Sequence, residues 1–451
     1  MPHEATLSHE LSVAKPQRPL MGWTPASRRR VAAERRLAAQ SAQNTDEWLA
    51  DAAIVLKHDL AFRLAAVQAL ERSADEDPAR RQACIDILCA ALREPPAPRP
   101  GDDDREEGSE RRRVWQDDRA CRRALLTTIA AHLRADADIS WRGHDLDFSG
   151  LVFDSSEPPG ESADGMAGLT GTGPADAEIS FAGAAFTGAK VSFAGATFTG
   201  ATVSFAGATF DGGEVSFAGA TFEDGEVSFA GATFAGAKVN FAGARFSGAE
   251  VTLLGAEFTG GEVSFAGAEF ADGKVSFCSR FTGGEVAFIG SRFTGGVVGF
   301  LDAEFTGGAV GFLDAQFTGG EVNFVGAVFG GSEVSFVGAE FAGATVSFAG
   351  AKFAQGMVSF VGAEFTGGEI RFPWAEFSGG EVRFSGATVN GGQMGFAQAK
   401  FSGGEVDFTS VNFSRGLVDL SGTIVRSAPP SFDEWTTTPA SLRLPSSHRS
   451  A

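Results

Sequence analysis

The sequence predicts a mostly β chain: a parallel β-solenoid preceded by a small α-helical domain. Three observations carry that prediction. From Ile179 onward one unit recurs every twelve residues, as in Val191-Ser192-Phe193-Ala194-Gly195-Ala196-Thr197-Phe198-Thr199-Gly200-Ala201-Thr202, after which Val203 starts again. The 451 residues hold 59 Gly and 42 Phe but no Tyr, whereas ordinary chains carry roughly 7% glycine and mix their aromatics. Between 45 and 135, by contrast, apolar residues recur at helical spacing.

Taken from the N-terminus, residues 1–44 are sprinkled with Pro and Ser and then turn basic (Arg28, Arg29, Arg30, Arg35, Arg36), which predicts a disordered or frayed basic arm. The helical domain spans 45–135. Trp48, Leu49, Ala52, Ala53 and Leu56 open it, and Leu60, Leu64, Val67 and Leu70 continue it. Asp77 before Pro78 reads as an N-cap with proline at the first helical position, opening a helix through Ile85, Leu88 and Leu92 that stops before Pro95. A charged linker, 95–113, precedes a last helix around Trp115–Arg134. Leu146, Phe148, Leu151 and Phe153 already fit the repeat, so the solenoid is expected over 146–425, with a flexible insertion at 154–178. The tail, 426–451, carries Pro429, Pro430, Pro439 and Pro445 and is expected to be mostly disordered, with Trp435 a lid over the last coil.

The repeat has a simple physical reading. In Val-Ser-Phe and Ala-Thr-Phe the first and third residues share a side, as strand alternation requires. Strands of three residues make no sheet within one unit, so they must stack on the same strand of neighbouring units at roughly 4.8 Å. Phe then lies over Phe and Val over Val. The first Phe column runs from Phe181, passes through Leu253, and reaches Phe408; the second runs from Phe186 to Phe413 and is interrupted at Val389. One residue is missing in Phe277-Cys278-Ser279-Arg280-Phe281, where the usual step of five shrinks to four.

Val191-Ser192-Phe193-Ala194-Gly195 and Ala196-Thr197-Phe198-Thr199-Gly200 each resemble one pentapeptide repeat, with a small residue two before a large apolar centre. The resemblance implies a right-handed quadrilateral β-helix with four pentads per coil. The chain departs from the family pattern by adding two residues after every second pentad. It also prefers Phe to Leu at the centre, and Thr, Ser or Glu to Asp or Asn elsewhere. Two geometries follow: a quadrilateral coil of two units, favoured because Phe193-Ala194-Gly195-Ala196 has the spacing of the family's corner turn, or a flattened coil of one. The stretch from Leu64 to Arg93 is similar to the helical region that precedes the repeats in actinobacterial members.

Composition and chemistry narrow the function. The net charge of −20 disfavours direct binding to nucleic acid or anionic membrane. No apolar run approaches 18 residues, and the scattered Cys84, Cys89, Cys121 and Cys278 form no CxxC pair, which fits a reducing cytoplasm. All six histidines lie outside 179–425, so the repeats cannot assemble a Ser-His-Asp or Cys-His set on their own faces. No catalytic residue, cofactor site or metal site is expected, and no enzyme.

Two surface features remain. An acidic ladder occupies one repeat position: Glu214, Glu226, Glu250, Glu262, Glu285, Glu321, Glu333, Glu369, Glu381 and Glu405. Between 179 and 425 there are 24 acidic against 11 basic residues. The position after the first Phe, usually Ala, becomes Ile289, Leu301, Leu313, Val325 and Val337 in successive units, with Trp374 continuing the drift. Contiguous exposed apolar surface of this kind marks an interface. The function expected is a cytoplasmic, non-enzymatic protein-binding scaffold whose partner is another protein, a homodimer being one form of that. The alternative, implied by the resemblance, is an acidic DNA-mimicking rod that binds or inhibits a type II topoisomerase.

Overall fold

The computed structural model describes residues 47–98, 108–134, 136–154, 178–200, 202–434 and 437–445. The chain divides into Met1–Ala52 and Ala53–Ala451. The basic arm, most of the 154–178 insertion and Trp435 lie outside the described residues.

The coil holds two units. Strands β1 (Leu146–Asp147), β2 (Val152–Asp154), β3 (Glu178–Ser180), β4 (Ala185–Thr187) and β5 (Lys190–Ser192) open the solenoid. Phe186 pairs in parallel with Phe210 and Val191 with Val215, an offset of 24 residues. Each coil therefore carries four strand segments, the quadrilateral alternative, and the ladders form sheets of 18 and 21 strands over about 11 turns. Toward the C-terminus the bend between two segments is drawn out, and continuous strands such as Val328–Ser335 and Lys400–Asp407 replace the pairs.

Phenylalanine fills the interior. Phe193 and Phe217 stack at 4.8 Å with planes 4° apart, and Phe217 stacks likewise on Phe241. Across the coil Phe205 meets Phe217 edge-on at 6.0 Å and 89°. Rings thus run offset-parallel along the axis and T-shaped across it, the two arrangements the aromatic quadrupole favours. Between the columns the chain turns on Phe-Ala-Gly-Ala. The N–H of Ala196 donates to the carbonyl of Phe193 at 3.0 Å, and Gly195 takes φ +65°, the left-handed third residue of a type II turn. Ala196 is fully buried, where a larger side chain would collide with the Phe columns.

The deletion is absorbed at one such corner. Phe258 pairs with Phe281, an offset of 23, and Phe281 with Phe305, where 24 is restored. The missing residue is the corner glycine. Ser279 takes the buried alanine position, and its hydroxyl donates to the carbonyl of Leu253 at 2.7 Å. Ser291 does the same half a coil later, to Phe265.

At the front, Leu146 pairs with Val191 and Phe148 stacks on Phe193. The helices are α1 (47–55), α2 (Leu60–Glu76), α3 (Arg81–Arg93) and α4 (Gly108–Leu133). Two boundaries differ from expectation. Asp77 accepts the N–H of Ala79 at 3.0 Å within a turn, and α3 starts only at Arg81. Residues 108–113, expected in the linker, are the first turns of α4, since Glu110 and Arg111–Arg113 are good helix formers.

Leu70, Leu88, Leu92, Leu125 and Ile129 pack the helical core, and one polar hub joins it. Asp118 receives Arg63 at 2.9 Å and Arg122 at 2.8 Å, while Arg122 also donates to the carbonyl of Leu92. Burial pushes the Asp118 carboxyl upward, but Arg122 and Arg63 outweigh it and hold the group below its ordinary range. Fully buried Trp141 donates to Asp75 at 2.9 Å and stacks on His132. The helices cover the first coil: Gln82 donates to the carbonyl of Asp145 at 2.9 Å, and Arg93 pairs with Asp147.

The described part of the tail differs from the disordered segment expected. Phe432 stacks on Phe408, and Leu442 pairs with Val418, both at the 24-residue offset. Proline content misled here, because two apolar contacts in register, with backbone hydrogen bonds beside them, hold the segment.

Two tests follow. Phe229→Asp should place an unpaired carboxylate in a Phe ladder and cost several kcal/mol, whereas Ser228→Asp next to it, on the outer side, should leave the melting temperature nearly unchanged. Asp118 has a depressed native pKa, so its stabilisation is present at neutral pH and is lost as pH falls through that depressed value. Asp118→Asn should therefore flatten the acid limb of the stability profile, as read by circular dichroism of the helical signal.

Candidate interaction surface

The residue after the first Phe projects from the corner turn, and the two-unit coil splits these corners into two rows. Corner hydrogen bonds trace each row: Gly231 to Leu254, Gly255 to Cys278 and Asp302 to Val325 in one; Gly267 to Ile289, Gly290 to Leu313 and Asp314 to Val337 in the other. The first row reads Leu254, Cys278, Leu301, Val325. The second reads Ile289, Leu313, Val337, Val361. Leu254, Ile289, Leu301 and Leu313 are exposed, and Val325 and Val337 half-buried. The five aliphatic candidates therefore form two stripes and not one. Leu254, 59% exposed, extends the first stripe and was missed; reading the sequence at a period of 24 would have found it.

Trp374 belongs to neither row. In Phe372-Pro373-Trp374-Ala375 the corner position is Pro373, and Trp374 takes the place of the left-handed glycine, at φ +55°. Its N–H still donates to Ala397 at 2.9 Å, as glycine does in the coils before. A bulky residue in this region is a true outlier. Asp302, Asp314, Gln398 and Ser410 occupy equivalent corners at φ 52–59°, but none of them is large and apolar. The indole is 64% exposed, so burial does not compensate the strain.

The acidic ladder also divides. Glu214, Glu262, Glu285, Glu333, Glu381 and Glu405 lie on one sheet, and Glu226, Glu250, Glu321 and Glu369 on the other. Only some are direct neighbours, such as Glu262 with Glu285, Glu381 with Glu405, and Glu226 with Glu250. Cations stand within the same columns. Lys274 meets Glu250 at 3.1 Å, and Lys238 lies 3.8 Å from Glu262. Neighbouring columns alternate as well: Arg280 bridges Glu257 and Glu304 at 3.2 and 3.1 Å, and Lys400 meets Glu376 at 2.8 Å. Arg371 and Arg383 pair with Glu369 and Glu381, and the Arg371 hydrogen bond holds the Glu369 carboxyl below its usual range.

Among the described residues no group of three or more His, Cys, Asp or Glu is placed to hold a metal ion. The four cysteines are unpaired. Burial pushes the Cys89 thiol up to about 12, and raises Cys84, Cys121 and Cys278 as well, so none is poised as a thiolate.

The family model for pentapeptide repeats matches residues 181–225, as nine copies. The matched stretch lies in the solenoid, within coils whose Phe columns and Phe-Ala-Gly-Ala corners are unbroken. The chain carries pentapeptide repeats. Its N-terminal helical region and twelve-residue unit distinguish it from a plain succession of pentads. No curated protein and no solved structure matches the chain significantly.

Replacing Trp374 by Gly removes a left-handed strain of about 1–2 kcal/mol, set against roughly 0.5–1 kcal/mol of glycine backbone entropy. The pentapeptide-repeat chain should therefore gain stability, by ~0.5–1 kcal/mol, as read from the denaturant midpoint.

Proposed function

We propose that the protein is a non-enzymatic cytoplasmic scaffold that binds another protein through the corners of its solenoid. The observation that carries this reading is Trp374: a bulky side chain held at a glycine position, strained and yet left in water. Backbone strain that persists without a packing reward is characteristic of functional positions, and Trp is enriched at the energetic centres of interfaces. The two aliphatic rows support the same reading, since Ala serves at the equivalent corners of the earlier coils. The cytoplasmic part rests on the unpaired cysteines, and among the described residues no helix is long and apolar enough to cross a membrane.

The DNA-mimicking alternative asks for columns of uncompensated negative charge. The net charge favours it, but the interleaved Lys238, Lys274, Arg280 and Lys400, each with an acidic partner, weigh against it. Spread over about 11 coils at roughly 4.8 Å, the solenoid excess of acidic residues amounts to about one charge per 4 Å, against one per about 1.7 Å in duplex DNA.

Affinity capture from native cytoplasm tests the proposal. Partners retained by the parent should be lost with Trp374→Gly, or with Leu254→Ser, Leu301→Ser and Val325→Ser together, or with Ile289→Ser, Leu313→Ser and Val337→Ser together, while the melting temperature does not fall. The comparison of the two triple variants shows which row is used. A triple variant that melts much earlier but keeps every partner would mark that row as structural. Inhibition of supercoiling that disappears on charge reversal at Glu262, Glu285, Glu321 and Glu333 would favour the alternative.

A further inference from the structure

One outward column of the solenoid is antisymmetric in charge. On the sheet that holds Phe258, the residue before the second Phe stacks directly from coil to coil as Glu257, Arg280, Glu304, Val328, Lys352, Glu376 and Lys400. Counted outward from Val328, Glu304 answers Lys352, Arg280 answers Glu376 and Glu257 answers Lys400. These charges reach solvent. Glu257, Arg280, Glu304, Glu376 and Lys400 pair along the column yet keep 41–55% of their side-chain surface exposed, and Lys352 is exposed as well. The matching column on the other sheet, Arg245, Glu269, Arg292, Gln316, Glu340 and Glu364, has no centre that sets every charge against its opposite.

The first corner row runs beside this column and shares its centre. After Leu254, Cys278, Leu301 and Val325 it continues through Ala349, Pro373 and Ala397. Around Val325, Leu301 answers Ala349 and Leu254 answers Ala397, a large side chain against a small one each time. Leu254 and Leu301 are the exposed members of those pairs by the widest margin, at 59% and 44%. Cys278 answers Pro373, next to which Trp374 projects.

We propose that this side of the solenoid is a docking surface for a second copy of the chain, laid antiparallel about a two-fold axis at the level of Val328. The proposal rests on the corner reading and names the occupant of its first row. In an antiparallel, isologous contact each residue of the column faces the one that answers it, and every pair occurs twice. A parallel arrangement would set each residue against its own copy, and so every charge against its like. A slip of one coil is disfavoured for the same reason, because it brings Glu304 against Glu376 or Arg280 against Lys352. Charge therefore fixes direction and register, while the Leu-on-Ala pairs supply the apolar burial. Seven coils at roughly 4.8 Å, over a width of about 15 Å, bury on the order of 1,000 Å² in total, the lower limit for a specific interface. The column of Glu262 and Glu285 stands beyond the Gly-Gly bend, at the rim, where salt and water screen it. Ile424 of the second copy comes level with Thr233, so its C-terminal end stops short of the helices over the first coil.

The test uses the full chain and sedimentation equilibrium over a concentration series. The parent should form a concentration-dependent dimer. Glu304→Lys and Lys352→Glu each set like charges against one another twice, so either variant alone should be monomeric, with its far-UV circular dichroism unchanged. Mixed in equal amounts, the two variants should dimerise again, because every lysine then faces a glutamate. A monomeric parent would overturn the proposal, as would single variants that dimerise like the parent or a mixture that stays monomeric. Assemblies larger than two would overturn the closed geometry. Neither variant alters a corner residue, so failure of the dimer leaves partner capture through Trp374 and the two rows to stand or fall separately.

Discussion

The spacing between stacked strands governs the rest of this molecule. Hydrogen bonds fix it at roughly 4.8 Å, and the Phe rings of successive coils sit 4.6–5.2 Å apart because they have no other choice. An offset-parallel pair is comfortable at that distance, so the ladder and the aromatic stack reinforce each other. The close approach also explains the second glycine of the Gly-Gly bend. A Cβ at Gly261 would come within 2.2 Å of the carbonyl oxygen of Ala237, one coil back, at a backbone angle that L-residues rarely adopt. A solenoid whose neighbouring coils touch backbone to backbone leaves side chains only two places to go, inward to the Phe columns or outward from the strands and corners.

Much of the fold was legible because one physical pattern repeats. Columns of Phe at 181, 193, 205 and onward say which side is inside, and no tertiary detail can reverse that. Coil size was less so: the twelve-residue unit looks alike on both sides of the coil, and only the pairing of Val191 with Val215 separates one unit per turn from two. Boundaries set by single contacts were harder still. Residues 108–113 look like a linker by charge but are helical, and the tail looks unstructured by proline content but is held by Phe432 and Leu442.

The candidate surface was legible residue by residue, and its division into two stripes followed once the coil was known to hold two units. Ile289 and Leu301 are one unit apart in sequence, yet they belong to different corner rows, so a run of five aliphatics becomes two stripes. Trp374 was visible as a departure from the repeat, but its place at the glycine position, and hence its strain, depends on which corner residue is left-handed. Surface charge shows the same limit. Composition reports an acidic rod, whereas the register sets Lys274 against Glu250 and Arg280 between Glu257 and Glu304.

The two-unit coil has a consequence for how such a chain can change length. Gain or loss of a single twelve-residue unit is invisible to the core, since every Phe still finds a Phe above and below. Yet it rotates everything downstream by half a turn, and each outward residue beyond that point changes sides. Gain or loss of two units leaves the sides intact. A binding face written along this rod is therefore protected against duplication only in even steps, and one odd event would be enough to recombine the two faces into a surface neither had before.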